Sequence, residues 1–350
     1  MVEVSGEVGN PSSVHSFGRA ARNLVEDARE RVARLVGARA ADVVFTSGGS
    51  EANNLAVKGA RAVRAIVSAI EHPSVLNAAP DAARIPVHND GIVDLAALER
   101  MVAEASRPTL IALMLANNET GVIQPVAEAA RVAHAHGARL HCDAVQAAGK
   151  IAVDVGALGA DTIALSAHKL GGPQGVGALI VREGAGLSAL ISGGGQEHGL
   201  RAGTENVAGI VGFGVAAECA RDELDVYARI AALRDYMEQS LGARVFGANA
   251  PRLPNTSHIG MPGVAAETQV IGLDLDGIAV SAGSACSAGK VEAPYVLAAM
   301  GVPEREAATA IRVSLGRATT REEVDRFMAA WRALHRRTRR LDRVAIQPAE

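Results

Sequence analysis

The sequence is short of cysteine, of long apolar runs and of net charge, and each shortage removes a class of protein. Its three cysteines, Cys142, Cys219 and Cys286, form no CxxC pair and are odd in number. That argues against a disulfide framework or a structural zinc site, and makes a reducing cytoplasm the expected compartment. No apolar stretch is long enough to cross a bilayer. The opening Met1-Val2-Glu3-Val4-Ser5-Gly6-Glu7 lacks the basic region and apolar core of a signal peptide. A formal net charge of −3 gives no general attraction to nucleic acid or to an anionic membrane, so neither is expected as a partner. Walker A and GxGxxG sequences are missing, and so is any internal repeat. What remains is 49% apolar and 21% charged over 350 residues, a length that suits two domains with ample cores.

Strand and helix patterns alternate through the first two thirds of the chain. After the turn Asn10-Pro11-Ser12-Ser13, the spacing of Leu24, Ala28, Val32 and Leu35 predicts a helix over about 17–36, with Arg22, Glu26, Arg29 and Glu30 largely off its apolar stripe. Strands are expected at Asp42–Thr46, Ala65–Ile70, Thr109–Leu115, Ala138–Cys142, Thr162–Ser166 and Gly177–Val181, with helices between them. Helices over Asn206–Ala220 and Asp222–Leu241 lead to a stretch broken by Pro251, Pro254 and Pro262. Short strands and helices follow, as in a smaller α+β domain. The basic tail His335–Arg340 reads as a solvated helix end.

Four of the strands end in polar residues: Ser50, Asn118, Asp143 with Gln146, and His168 with Lys169. In an open parallel α/β sheet such ends converge on the ligand crevice. Ser47-Gly48-Gly49-Ser50-Glu51 joins a strand to a helix N-terminus, where free N–H groups and the dipole favour an anion such as phosphate. Lys169 stands between a strand and the turn Leu170-Gly171-Gly172-Pro173. Partial burial there favours the neutral, nucleophilic amine. Ser166 and His168 flank it as possible donors to an anion. A lysine able to form a Schiff base beside a phosphate clamp meets the needs of pyridoxal phosphate. Asp143 suits a pyridine nitrogen, and Gln146 a phenolic oxygen. His72 suits ring stacking or proton transfer, though a histidine before Pro73 also reads as a plain helix start.

The loop Ser281-Ala282-Gly283-Ser284-Ala285-Cys286-Ser287-Ala288-Gly289 is made of small residues around one thiol. Burial suits Cys142 in its strand and Cys219 in its helix. Cys286 has nothing apolar around it and reads as a nucleophile that travels.

Taken together, Asn10–His15, Thr46–Asn54, Glu71-His72, Asn117–Gly121, Asp143 with Gln146, Ser166–Lys169, Gly193–Thr204, Ser281–Cys286 and Arg312–Gly316 resemble the cysteine desulfurases of the NifS/IscS type, in the class V aminotransferase superfamily. The resemblance runs from about residue 8 to 330. It implies a pyridoxal-phosphate-dependent transferase of fold type I. The large α/β domain, 15–222, would carry a mainly parallel seven-stranded sheet, and the α+β domain, 223–350, the cysteine loop. It implies that Lys169 holds pyridoxal phosphate and that Gly49, Ser50, Ser166 and His168 hold its phosphate. Thr204 would reach across from the other subunit of a homodimer. Asp143 would pair with the pyridine nitrogen, Gln146 with the ring oxygen, and His72 would stack on the ring and assist proton transfer. Asn118 and Arg312 would orient the substrate carboxylate, a job that suits an arginine fork. Cys286 would attack the sulfur of L-cysteine, leaving L-alanine and a persulfide for iron–sulfur assembly or another sulfur acceptor. Cys286 is also a possible transient iron–sulfur ligand.

Two departures stand out. The family's opening strand and Asn-Ala-Thr-Thr type turn do not precede Asn10 here, and Ser50 replaces a frequent threonine while keeping the hydroxyl. Selenocysteine lyase, another class V aminotransferase and a truncated non-catalytic scaffold are the alternative readings. The thiol of Cys286 argues against a transaminase. The retained Lys169, Asp143, His72 and Arg312 argue against a scaffold.

Overall fold

The computed structural model describes residues 9–105, 108–283 and 294–345, together with Met1, Val4 and Gly6. The chain forms two compact units. The first is Met1–Pro86, Val93–Ala116 and Gln124–Leu224; the second is Val87–Ile92, Asn117–Ile123 and Asp225–Glu350. Two short segments from the first half of the sequence thus belong to the second unit, and Asn117–Ile123 pairs with it through backbone. The Ile123 N–H donates to Pro251 O at 2.8 Å, and the Leu253 N–H to Gly121 O at 2.8 Å.

Among the described residues the first unit carries a seven-stranded sheet. Its strands are β1 (Val43–Thr46), β2 (Arg64–Ser68), β3 (Ala83–Ile85), β4 (Thr109–Ala112), β5 (Arg139–Asp143), β6 (Thr162–Ser166) and β7 (Gly177–Val181), in the order β1-β7-β6-β5-β4-β2-β3. All neighbours are parallel except β7, which runs against both β1 and β6. Two antiparallel steps leave β1 parallel to β6, so the C-terminal ends of β1, β6, β5 and β4 share one edge. β1, β4 and β6 are buried at every position, as expected for strands covered on both faces. β4 is shorter than its apolar run. Beyond Ala112, the N–H groups of Leu113 and Leu115 still donate to His141 O and Asp143 O, at 3.0 and 2.8 Å.

The first long helix, Ser16–Leu35, buries Ala21, Val25, Ala28, Val32 and Leu35, and also Arg29. Arg29 was expected off the apolar stripe. It is buried because its guanidinium forms a two-bond fork on Glu197, at 2.7 and 2.8 Å, 168 residues away. Glu197 Oε2 also accepts from the Phe45 N–H at 2.7 Å. A buried charge is tolerated when it is paired and bonded in this way.

The second unit is built on a four-stranded antiparallel sheet in the order β10-β11-β9-β8. Its strands are β8 (Arg244–Val245), β9 (Thr256–Gly260), β10 (Ser281–Ala282) and β11 (Ala310–Ser314). One core holds Ile230 and Met237 of the helix Val226–Leu241, Leu273 of Ala266–Leu275, and Phe327, Trp331 and Leu334 of the last helix, against Ile259 and Ile311 of the sheet.

Candidate active site

Thr46 and Ser166, the last residues of β1 and β6, both pair with Gly177. A Cβ on Gly177 would come within 2.6 Å of the Gly48 carbonyl carbon and 2.7 Å of Leu165 O. Only glycine therefore lets the turn after β1 lie down on the sheet. Gly48 itself adopts φ 155°, ψ 178°, a region open to glycine. The helix Gly49–Gly59 begins there with no side-chain cap on its first turn. A Cβ on Gly49 would meet Ser166 Cβ at 3.4 Å, so Gly49, the adjacent exposed Ser50 and Ser166 form one group. Ser166 Oγ lies 2.9 Å from His168 Nδ1. Uncapped N–H groups, hydroxyls and an imidazole together make a donor set for an oxyanion.

Lys169 is half-buried in the 3-10 turn Ala167–Leu170, which Gly171 closes at φ 83°. Its neighbour Lys150 carries no signal in the sequence pattern. That side chain is buried and donates to Gln146 O at 2.7 Å. Burial, then the Lys169 charge, push the Lys150 pKa down to about 8. Burial, Lys169 and Lys150 also hold His168 below the ordinary histidine range. Several groups of one sign at the same edge favour a dianion there.

Asp143 ends β5, next to β6. Its Oδ1 accepts from the Val145 N–H at 2.9 Å, and its Oδ2 from Asn53 Nδ2 at 2.7 Å. Gln146 follows, half-buried, on the same turn. Glu71, fully buried, accepts the Met114 N–H at 2.6 Å; burial pushes its pKa up to about 8, helped by the Asp143 charge. His72 caps the short helix Pro73–Leu76, its Nδ1 accepting from the Ser74 N–H at 3.1 Å. The first unit thus brings Gly49, Ser50, Ser166, His168 and Lys169 together, and links Asp143 to the Ser74 that holds His72. Thr204 is exposed; its neighbours Gly203 and Glu205 line a small cleft with Thr46, Ser47 and Arg201.

Asn118 and Arg312 belong to the second unit. Asn117 shapes the turn: its Oδ1 accepts from the N–H groups of Glu119 and Thr120, at 2.9 and 3.0 Å. Arg312 on β11 donates from Nη1 to Asn118 O at 2.9 Å and from Nη2 to Ser281 Oγ at 3.1 Å. Glu119, fully buried beside the Arg312 charge, has its pKa pushed up to about 7 because burial outweighs that charge. His258 pairs with Arg312 across β9 and β11; burial, then Arg312, push its pKa down to about 3. Glu119 lies in the Asn117–Gly121 segment but the sequence assigns it no role, and His258 carries no signal beyond its residue type.

Cys286, read as nucleophile and possible iron–sulfur ligand, lies outside the described residues. Cys142 is buried, but Cys219 is exposed, against expectation. The helix Val207–Asp222 buries Gly209, Phe213, Ala216, Ala217 and Ala220 on one stripe, and Cys219 falls on the other side with Val215. No helix among the described residues is long and apolar enough to cross a membrane, and no metal-binding group of His, Cys, Asp or Glu occurs among them.

The family described as aminotransferase class-V matches residues 2–327. The cysteine desulfurase IscS of Dictyoglomus turgidum is 41% identical over 336 residues, 91% of this chain and 85% of that one. The chain belongs to the cysteine desulfurases. A NifS-like protein from Rickettsia africae superposes with a TM-score of 0.88 at 37% identity, over 96% of this chain and 94% of that one. The protein SspA, solved in complex with cysteine, superposes with a TM-score of 0.76 at 33% identity, over 90% and 93%. The fold is that of the fold type I enzymes, and pyridoxal phosphate is the desulfurase's cofactor. The first unit fits that group: an uncapped helix N-terminus with Ser166 and His168 suits its phosphate, and the buried Asp143 suits its ring nitrogen.

Proposed function

We propose that this cysteine desulfurase converts L-cysteine to L-alanine with Lys169, His72 and Cys286 as its catalytic residues. The observation that carries the reading is the shared edge of β1, β5 and β6, where the glycine turn, Asp143 and Lys169 gather. Pyridoxal phosphate, when bound, supplies the electron sink for charge developing on the substrate. Lys169 holds it through Nζ. The N–H groups at Gly49 and Ser50, with Ser166 and His168, hold its phosphate. Asp143 would keep a proton on the ring nitrogen and Gln146 would donate to the ring oxygen, with Asn118 a further residue that would hold the cofactor. His72 packs on the ring and moves a proton. Arg312, with Asn118, takes the substrate carboxylate as a two-bond fork. Cys286 Sγ bonds to the substrate sulfur as the Cβ–S bond breaks, and a proton on Cβ completes L-alanine. The persulfide left on Cys286 passes to a sulfur-acceptor or iron–sulfur scaffold protein, and Cys286 is a transient cluster ligand during that transfer.

The working form in this reading is a cytoplasmic homodimer, with the exposed Thr204 reaching the phosphate held by the other subunit. The test is Cys286→Ser. It is expected to keep the bound cofactor's colour and to lose persulfide formation. Undiminished sulfide release would remove Cys286 from the mechanism.

A further inference from the structure

Asn53 is 1% exposed and has no role in the account above. Its Nδ2 lies 2.7 Å from Asp143 Oδ2 and 2.8 Å from Ser74 Oγ. Its Oδ1 lies 3.0 Å from His141 Nε2. A carboxylate only accepts, so the amide must turn its NH2 to Asp143 and its oxygen to His141. His141 therefore carries its proton on Nε2. Burial pushes the His141 pKa down to about 4, so the ring is neutral and Nδ1 accepts from Thr162 Oγ1 at 2.9 Å.

On the other branch, Ser74 Oγ accepts from Asn53 and has its own hydrogen left to give. His72 Nδ1 lies 2.7 Å away and also receives the Ser74 N–H. With Nδ1 accepting, a neutral His72 carries its proton on Nε2. Every bond points one way: Thr162 to His141, His141 to Asn53, then Asn53 to Asp143 and, through Ser74, to His72. The other titratable groups beside Asp143 are Glu71 and Cys142, both kept neutral by burial, so neither competes as an anion. The cations Lys150 and Lys169 act on each other, and both act on His168.

We propose that Asn53 is a positioning residue that aims the Asp143 carboxylate and, through Ser74, fixes which nitrogen of His72 carries the proton. The proposal rests on the reading that Asp143 faces the cofactor's ring nitrogen and that His72 moves a proton. One amide then couples two functional groups, and a network with every member satisfied sets both before substrate arrives.

The test titrates the visible absorbance of the bound cofactor against pH in the holoenzyme, with Asp143→Asn as reference. Asn53→Ala is expected to move the midpoint in the same direction as Asp143→Asn and to weaken cofactor binding about tenfold or more. Ser74→Ala is expected to leave that midpoint in place and to change the pH profile of kcat/KM for L-cysteine. Thr162→Val keeps the shape of the side chain. It should move the absorbance midpoint in the same direction by less, which covers the case of an Asn53 variant that does not fold. A shift in Asp143→Asn with none in the Asn53 and Thr162 variants overturns the role of Asn53 alone. An unchanged pH profile in Ser74→Ala overturns its branch to His72. No shift in any variant, Asp143→Asn included, overturns the reading of Asp143 and the proposal with it.

Discussion

The two units each hold a buried polar cluster, and the clusters are opposites. In the first, Asn53, Ser74, Thr162, His141 and Asp143 satisfy one another. In the second, both oxygens of Glu119, Oδ1 of Asn118 and both ring nitrogens of His258 have no hydrogen-bond partner among the described residues. A buried polar group left in that state costs about 1–3 kcal/mol. The first cluster is organised in advance, which suits the cofactor-facing role proposed for Asp143. The second carries a standing cost beside the guanidinium of Arg312, the residue proposed above to take the substrate carboxylate. On the proposed assignments, the contrast would separate cofactor positioning from substrate capture.

The largest effect expected is at the first cluster's edge. Lys169→Ala should abolish the cofactor's colour and all alanine release, read by absorbance and amino-acid analysis; retained colour of the wild-type form would break the assignment. Arg312→Lys addresses the second cluster. Loss of the two-bond fork should raise the KM for L-cysteine about tenfold to a hundredfold with cofactor binding unchanged, measured by initial rates and cofactor titration.

Glu119→Gln sharpens the contrast through stability. The folded carboxyl ionises near pH 7 against 4.5 in the unfolded chain. Between those values the folded state keeps a proton that the unfolded state has lost, so stability falls as pH rises through the window and the loss is complete above it. The variant should lack that loss. Relative to the difference at pH 4.5, it should gain up to about 3 kcal/mol over wild type at pH 8 in chemical unfolding. Equal pH dependence in both proteins would mean that Glu119 is not a buried ionising group. Gly177→Ala should cost about 1–3 kcal/mol by forcing the Gly48 turn off the sheet, with a parallel loss of cofactor affinity.

The parts legible in sequence are those written locally. Strand ends show as apolar runs that stop at polar residues, so β6 and β7 have the expected bounds and β1 is one residue shorter. The glycine turn at Gly48-Gly49 and Lys169 before Gly171 also carry their geometry in a few adjacent residues. What stayed hidden depends on contacts distant in sequence. Arg29 looked solvated because its partner Glu197 is 168 residues off. Asn53 reads as an ordinary helix residue until β5 brings Asp143 and His141 to it, 90 and 88 residues on. Lys150 and Glu119 owe their altered ionisation to burial, which no residue type announces. Cys219 was misjudged because its helix is apolar on more than one side, so composition did not say which face was covered.

The most direct test of the account uses the purified chain reconstituted with pyridoxal phosphate, supplied with L-cysteine and a reductant, and follows sulfide and alanine together. Equal release of the two is the predicted result. Bound cofactor with no release of either, or alanine without sulfide, would contradict it.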